Sequence, residues 1–272
     1  MKREKIRICV LRVGGTNCDA ETRRSFQELG VQAEVVHANE LAKHASLLDY
    51  SALVFPGGFS YGDYVRAGVI WAKWVVAKLG KDLRAFVDQG RPILGICNGF
   101  QVLVEAGLLP GFDGISQYPE AALATNIPPG YNCRWINLRH ENRGKCVFTR
   151  GIQAGKVLRM PVAHGEGRFM FAKENEQKVL ERLCEDDQLV FRYCSANGEN
   201  ANDKYPTNPN GSFYDIAGVC NPEGTVFGLM PHPERAFYWW QQPDWTGQTR
   251  MQQYGDGKLI FENLVEYLVK KP

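Results

Sequence analysis

The sequence lacks the features that mark several large classes of protein. No apolar run is long enough to cross a bilayer, and the apolar stretch after the charged first residues is too short for a signal peptide. The net charge is only +2 and the positive residues form no stripe, so neither a nucleic acid nor an anionic membrane is indicated as a partner. Because there is no P-loop and no G-x-G-x-x-G motif, we expect this chain not to bind ATP itself.

Cysteine is present, but not in a metal-binding pattern. The eight cysteines, at positions 9, 18, 97, 133, 146, 184, 194 and 220, form no C-x-x-C pair, so we predict no metal site. An even number could form four disulfides, but a chain of 272 residues with 44% hydrophobic residues can build a core without them. With no export signal, we predict reduced thiols and a cytoplasmic location.

Strands and helices alternate along the first hundred residues. Apolar runs at 6–13, 31–37, 52–55 and 93–96 predict strands, and helical spacing from Tyr64 to Leu79, extending towards Asp88, predicts one of the helices between them. Such β-α repetition predicts a mainly parallel sheet covered by helices on both faces.

The second half of the chain has a different pattern. Residues 134–139 and 156–162 alternate between apolar and polar side chains, which predicts an antiparallel patch at one edge of the sheet. We find no repeat and no convincing linker, so we predict a single domain over residues 1–272. Its one unusual part is an extended aromatic-rich segment, 237–257. Two roles are open for this segment: contact with a partner protein, or a lid over a site.

The strongest candidate for chemistry is Cys97, in the stretch P-I-L-G-I-C-N-G-F-Q. A buried strand ends at Ile96, and helical spacing begins directly after the cysteine. At the carboxyl end of a strand and the start of a helix, backbone N–H groups and the helix dipole favour a thiolate. Cys97 is therefore a candidate nucleophile, with a small buried core cysteine as the alternative.

A thiol nucleophile needs a base and a group that orients the base. His232 and Glu234 lie in M-P-H-P-E-R, just after the apolar run 226–229, where two prolines favour an extended backbone. In an extended segment residues i and i+2 point the same way, so we predict that Glu234 holds the imidazole of His232. The alternative is a turn histidine beside an unrelated surface glutamate.

Acyl chemistry also needs donors for an oxyanion. The backbone N–H of Asn98, next to the nucleophile, is one candidate, and a glycine at 57–58 after the third strand is the other. On its own, the stretch 56–58 is more typical of a plain turn. The same region contains a competing motif, since residues 58–62 match the G-x-S-x-G serine elbow and offer Ser60 as a nucleophile. A strand that has already ended at Pro56 is a poor frame for that serine.

Together these motifs resemble those of class I glutamine amidotransferases, and among them the glutaminase subunits of phosphoribosylformylglycinamidine synthase. The matching stretches run from the first strand to the last: residues 14–19, 56–64, the turn at Cys97, 164–168, 208–212 and 230–236. The resemblance implies a flavodoxin-like three-layer α/β/α sandwich. The segment 237–257 is where the chain departs from the pattern.

The resemblance also implies a role for each matching residue. Cys97, His232 and Glu234 would form the catalytic triad, and the N–H groups of Gly58 and Asn98 the oxyanion hole. Four further residues would hold the α-amino and α-carboxylate groups of glutamine: Gln101, His164, Gly165 and Glu166. From the residues alone, 164–168 is only a glycine-rich polar turn.

The resemblance implies partners as well. Ammonia released from glutamine would pass to a PurL-like synthase subunit, which would bind ATP and magnesium, and a small PurS-like subunit is expected in the complex. Two other kinds of protein stay open on the residues themselves. One is a stand-alone cysteine hydrolase or peptidase, and the other is a non-catalytic binding module with the same scaffold.

Overall fold

The computed structural model describes residues 1–44, 46–247 and 252–271. Its strands, in chain order, are β1 (Arg7–Arg12), β2 (Gln32–His37), β3 (Ala52–Phe55), β4 (Ile93–Ile96), β5 (Ala122–Ala124), β6 (Asn132–His140), β7 (Val157–His164), β8 (Arg168–Met170), β9 (Leu189–Cys194), β10 (Ile216–Cys220) and β11 (Val226–Leu229). Its α-helices are α1 (Asp19–Gln27), α2 (Ala38–His44), α3 (Val69–Asp88), α4 (Asn98–Glu105), α5 (Glu176–Glu185) and α6 (Lys258–Lys270).

The central sheet has nine strands in the order β2-β1-β3-β4-β11-β10-β9-β6-β7. The first five are mutually parallel, and each pairing from β11 to β7 is antiparallel. In β3, β4 and β11 every residue is buried. This agrees with continuous apolar sequence in strands that are covered on both faces.

Helices cover the parallel half on both sides. The chain passes from β1 through α1 to one neighbour, and from β3 through α3 in the opposite direction. Since such crossovers are right-handed, α1 and α3 lie on opposite faces of the sheet. On one face the ring of Phe26 in α1 meets that of Phe261 in α6 at 5.0 Å, and on the other α3 packs against α4. The predicted three-layer α/β/α sandwich is confirmed.

The direction of the chain reverses between β1 and β3, which makes a topological switch point. In open α/β sheets, ligands bind outside the carboxyl ends of the strands at such a point. The loops after β1 and β3 meet there, with Thr16 and Gly58 paired as an antiparallel bridge. A ligand-binding site is therefore expected at the edge of the sheet where β3, β4 and β11 end.

The antiparallel part of the prediction is also confirmed, and it is larger than expected. Strands β6 and β7 form the predicted edge, and β9 and β10 continue the antiparallel pairing inwards. A separate two-stranded sheet pairs β5 with β8. The sequence patterns did not predict β5, β8 or α2, because strands of three residues and a seven-residue helix are too short to show a period.

The helix expected from Tyr64 begins later, at Val69, and ends at Asp88. Tyr61, Asp63 and Val65 have φ angles of 53°, 53° and 74°, and Gly68, just before the helix, has 80°. These left-handed conformations are incompatible with a continuing helix. The segment that looked helical is thus a loop for its first five residues.

The aromatic-rich segment 237–257 packs beside α6. The buried ring of Phe237 lies 5.9 Å from that of Phe261, and Tyr238 stacks on Trp240 with centroids 4.4 Å apart. Residues 248–251 of this segment lie outside the described residues. The single-domain organisation over 1–272 stays a prediction. Among the helices that the structure describes, none has the length and apolar character needed to span a bilayer.

Candidate active site

Cys97 forms the turn between β4 and α4. Its φ and ψ angles are 51° and −106°, a conformation that residues other than glycine rarely adopt. Its N–H still donates to the carbonyl oxygen of Leu229 at 2.8 Å, so the residue remains tied to the sheet. The side chain is only 4% exposed, and its Sγ lies 3.6 Å from the carbonyl oxygen of Ala163. Strain of this kind clusters at functional sites.

Two glycines allow this sharp turn. A Cβ at Gly95 would lie 2.6 Å from Cδ1 of Leu103 and 2.7 Å from the carbonyl oxygen of Gly99, and one at Gly99 would overlap the carbonyl of Phe55. Residues 95–99 therefore form a G-x-C-x-G elbow, the cysteine counterpart of the serine elbow. Both glycines are visible in the sequence, and their spacing of two residues on either side of the cysteine is the local signal for this elbow.

His232 and Glu234 meet as predicted, although for a different local reason. His232 Nδ1 lies 2.5 Å from Glu234 Oε1, and both side chains are almost fully buried. His232 itself is extended, but Pro233–Ala236 is a turn of 3₁₀-helix, not the extended segment that the prolines suggested. The N–H of His232 donates to the carbonyl oxygen of Pro161 at 2.8 Å, which fixes the residue beside β7.

The charge on Glu234 acts directly on the imidazole. Burial lowers the pKa of His232, but the charges of Glu234 and Cys97 outweigh burial, and the pKa is raised well above its ordinary value. Because Nδ1 is engaged by Glu234, only Nε2 can face a reacting group, and within the described chain this buried atom makes no hydrogen bond. The structure thus brings Cys97, His232 and Glu234 together.

The backbone N–H groups of Gly58 and Asn98, predicted to form the oxyanion hole, are both left free by the local hydrogen-bond pattern of the described chain. Asn98 is the first residue of α4, so its N–H has no acceptor within the helix. Gly58 lies opposite Thr16 in the bridge, whose two hydrogen bonds are donated by the N–H groups of Asn17 and Phe59. In this pattern the N–H of Gly58 points away from Thr16.

A cavity of about 160 Å³ opens beside Cys97. All four residues expected to hold glutamine line it: Gln101, His164, Gly165 and Glu166. A larger groove, of about 820 Å³, follows α3 but contains none of the predicted site residues, so it is not the centre of the chemistry.

A relay of hydrogen bonds organises this cavity. Asn98 Nδ2 donates to Gln101 Oε1 at 2.9 Å, and Gln101 Nε2 donates to the carbonyl oxygen of Glu166 at 2.5 Å. Glu166 Oε2 in turn accepts from the N–H of Ala67 at 3.0 Å. Each end of the Gln101 amide therefore has one partner within the protein, and these bonds fix the side chain in the cavity wall. The role of Gln101 in holding glutamine stays a prediction.

His164 is buried beneath this wall. Burial, with a smaller contribution from the charge of His232, lowers the pKa of His164 to about 3, so the ring is neutral at physiological pH. Its Nδ1 lies 3.2 Å from Oδ1 of Asn126, whose Nδ2 donates to the carbonyl oxygen of His164 at 2.9 Å. Asn126 thus supports the turn at 164–168, a role that no sequence pattern had indicated.

Several residues at the site were missed. Cys18 Sγ lies 3.9 Å from His232 Nδ1 and 3.1 Å from Nη2 of Arg235, and Arg235 also pairs with Glu21 at 2.8 Å. Burial raises the pKa of Cys18 to about 12, which keeps it a neutral thiol. At the cavity mouth the half-exposed rings of Phe59 and Tyr131 lie 6.2 Å apart.

Cys18, His232 and Glu234 have ligand atoms within 4.8 Å of one another, a spacing that could hold a metal ion. In this structure those atoms have other roles. The guanidinium of Arg235 approaches the thiol of Cys18, and the carboxylate of Glu234 is bonded to the imidazole. A cation beside an arginine would be repelled, so the arrangement favours acid–base chemistry over metal binding.

The serine motif at 58–62 does not form an elbow. Ser60 lies in a 3₁₀ turn (Ser60–Asp63), five residues beyond the last residue of β3, and its Oγ is buried without a hydrogen-bond partner in the described chain. Its backbone N–H donates to Oδ1 of Asn98 at 3.2 Å. Ser60 therefore supports the residue next to Cys97, and among the described residues no base accepts a hydrogen bond from its Oγ.

Comparison with known proteins agrees with this geometry. The sequence model of the family described as "CobB/CobQ-like glutamine amidotransferase domain" matches residues 5–268. The chain belongs to this glutamine amidotransferase family. A curated relative from Archaeoglobus fulgidus, "Phosphoribosylformylglycinamidine synthase subunit PurQ", is 49% identical over 99% of this amidotransferase chain and its own full length. The corresponding protein of Methanothrix thermoacetophila is 44% identical, covering 98% of this chain and 99% of its own.

A solved structure is similar as well. The "Structure of PurLQS from Thermotoga maritima" contains a chain that is 33% identical and superposes with a TM-score of 0.71, covering 97% of this amidotransferase and 99% of that chain. The likeness therefore covers nearly the whole length of both chains.

Proposed function

We propose that this chain is the glutamine-hydrolysing subunit of a phosphoribosylformylglycinamidine synthase. The observation that carries the proposal is the buried imidazole of His232, bonded to Glu234 on one side and close to Cys97, at the strand–helix elbow, on the other. The name of relatives that are 49% and 44% identical over nearly the whole chain supports the choice of pathway.

In the first half-reaction the Cys97 thiolate attacks the carboxamide carbon of glutamine. His232 takes the thiol proton, and Glu234 stabilises the imidazolium that results. The carbonyl oxygen becomes an oxyanion, which the N–H groups of Gly58 and Asn98 hold. When the tetrahedral intermediate collapses, the C–N bond breaks, His232 gives its proton to the nitrogen, and ammonia leaves a thioester on Cys97.

In the second half-reaction water attacks the thioester. His232 takes a proton from the water as the new C–O bond forms, and the same donors hold the second oxyanion. The C–S bond then breaks, the proton returns to the sulfur, and glutamate leaves. The charge of Glu234, which raises the pKa of His232, supports this double use, because it stabilises the imidazolium that forms in each half-reaction.

The ammonia is consumed by a partner. As in the PurLQS complex named for the similar structure, we propose a PurL-like synthase subunit and a small PurS-like subunit as partners. We expect ATP and magnesium to bind the synthase subunit. The eight free thiols support a reducing compartment, and we propose the cytoplasm.

The test separates glutamine cleavage from synthesis. In the complex reconstituted with its synthase subunits, Cys97→Ala should lower glutamine-dependent synthesis by roughly 10⁴-fold or more, because the covalent route is lost. Synthesis from added ammonium salt should continue at the wild-type rate. The matched control is Cys184→Ala, which removes an exposed thiol on α5 and should leave both rates unchanged.

Other outcomes would point to other functions. Equal loss of both activities in Cys97→Ala would contradict the division of labour between the subunits. Full glutaminase turnover by the purified chain alone would favour a stand-alone hydrolase. If a glutamine-analogue alkylator fails to label Cys97, a binding module is the better description.

A further inference from the structure

The cavity beside Cys97 has an uneven distribution of charge. Two of its lining side chains are carboxylates, Asp63 and Glu166, and none of the lining residues is a lysine or arginine. A cavity with this lining favours a ligand that carries a positively charged group. Glutamine, the substrate under the proposed function, carries one such group, its α-ammonium.

The two carboxylates differ in whether they already have hydrogen-bond donors, and so in whether they can accept the α-ammonium of glutamine. Glu166 Oε2 already accepts the N–H of Ala67 at 3.0 Å, and the backbone carbonyl of Glu166 accepts the amide of Gln101. By contrast, Oδ1 of Asp63 is buried and has no hydrogen-bond partner in the described part of the chain. A buried carboxylate oxygen without a donor is costly unless a ligand supplies one.

The backbone directs Asp63 inwards at some cost. Its φ angle is 53°, in the left-handed region, and so is that of Tyr61 two residues earlier. The neighbouring side chains of Tyr64 and Val65 are 74% and 88% exposed, whereas Asp63 lines the cavity. Aspartate and asparagine tolerate this conformation better than most residues, so the turn can present a carboxylate without losing its shape.

We propose that Asp63 binds the α-ammonium of glutamine and so selects an amino acid over other amides. This inference rests on the proposed function and adds a specificity-determining residue to it. Gln101 and Glu166 then act as the frame of the cavity, and Asp63 supplies the ionic contact. The same loop that contributes the N–H of Gly58 to the reacting end of the substrate recognises its other end.

The electrostatics of the cavity agree with this assignment. Burial raises the pKa of Asp63 to about 6, and the charge of Glu166 adds to that effect. An ammonium placed between the two carboxylates would relieve both causes, because it supplies a donor and an opposite charge. A cationic ligand would therefore stabilise the ionised carboxylate of Asp63.

The test compares two ligands that differ only in the α-amino group. In the complex with the synthase subunits, KM is measured for L-glutamine, and the competitive inhibition constant is measured for glutaramate, which is glutamine without its α-amino group. Asp63→Asn should raise the KM for glutamine by roughly 10- to 100-fold, because a charged hydrogen bond is lost. The inhibition constant of glutaramate should change by less than about twofold, since it has no ammonium to lose.

Asp203→Asn is the matched control, because Asp203 is an exposed aspartate with a φ of 58° outside the cavity. It should change neither constant. The proposal is overturned if Asp63→Asn leaves the KM for glutamine unchanged, or if it raises both constants equally, which would mark a general structural role. Failure of the proposed function would be distinguishable from failure of the Asp63 assignment, because the wild-type complex itself would then not hydrolyse glutamine.

Discussion

The loops that follow β3 and β4 end neighbouring parallel strands, but they hold their backbones in opposite ways. After β4 a single residue, Cys97, separates strand from helix, and close-packed glycines on both sides leave it no room to move. After β3 the chain runs through 56–68 before α3 begins, with several left-handed residues and the exposed side chains of Tyr64 and Val65. One loop is short and buried, and the other is long and open to solvent.

The difference shows how one sheet edge can divide the work of catalysis. A nucleophile must be held within a fraction of an ångström of its working position, which a one-residue turn between two regular elements provides. Donors and ligand contacts must reach different parts of a substrate, which a longer loop provides. The division also explains why a serine motif in the long loop supplies no nucleophile, although its letters match an elbow.

Glu234→Gln tests the nucleophile in the short loop. It removes the negative charge that stabilises the imidazolium of His232, the base that acts on Cys97. We expect kcat to fall by roughly 10³- to 10⁴-fold, as when the third member of such a triad is neutralised. The charge of Glu234 raises the pKa of His232, so its loss should lower that pKa. The imidazolium is lost as pH rises through the pKa, and the alkaline limb of the pH–rate profile should therefore move to lower pH.

The control for this variant is Glu262→Gln, which removes a carboxylate paired with Lys258 on α6 and should leave the profile in place. An alkaline limb that stays where it is in Glu234→Gln would mean that Glu234 does not act on the imidazole through its charge. That result would remove the electrostatic link between the turn after β11 and the cysteine.

Gly58→Ala tests the contribution of the long loop to the reacting end of the substrate. A Cβ at this position would lie 2.8 Å from the carbonyl oxygen of Gly15, and φ is +152°, so the backbone must shift and carry the N–H with it. We expect kcat to fall by roughly 10²- to 10³-fold, the usual effect of losing one oxyanion donor, with a smaller change in KM.

Gly14→Ala is the comparison for that measurement, because a Cβ there meets nothing within 4 Å although it lies in the adjoining loop. Its steady-state constants should stay close to those of the wild type. If Gly58→Ala were as active as Gly14→Ala, the second oxyanion donor would have to come from another residue, and the long loop would keep only its role in binding.

Gly99→Ala and Gly80→Ala compare two helical glycines in their effect on stability. A Cβ at Gly99 would overlap the carbonyl of Phe55, at the end of β3, whereas one at Gly80 in α3 meets nothing within 4 Å. The free energy of unfolding should fall by about 1–3 kcal/mol for Gly99→Ala, because the packed contact between α4 and β3 must open. It should rise by about 0.5–1 kcal/mol for Gly80→Ala. Equal effects in a denaturant titration would contradict the close packing of α4 against β3.

The sequence predicted the parts of this molecule that depend on local patterns. The strands β3 and β4 begin and end where the apolar runs at 52–55 and 93–96 do, because Pro56 and Cys97 mark their ends. The pairing of His232 with Glu234 was also predicted, because the two residues are only two positions apart and local backbone geometry keeps their side chains close. The reason given for it was wrong, because one turn of 3₁₀-helix brings the side chains together where an extended strand was expected.

What could not be predicted depends on contacts between distant parts of the chain. Cys18 approaches His232 across 214 residues, and Asn126 supports His164 from a loop with no distinctive pattern. Asp63 looked like one more polar residue in a turn, and only the cavity and its missing hydrogen-bond partner single it out. Such residues are recognised by their surroundings, which a single sequence does not record.

The smallest effect is expected from Ser60→Ala, and it is the direct test of the serine motif. The Oγ of Ser60 is buried and makes no hydrogen bond within the described chain, while the backbone N–H, which bonds Asn98, is unchanged by the substitution. Removing an unsatisfied buried hydroxyl costs little, so glutaminase activity should stay within about twofold of the wild type. A fall comparable to that of Cys97→Ala would make the long loop the source of the nucleophile and reverse the division between the two loops.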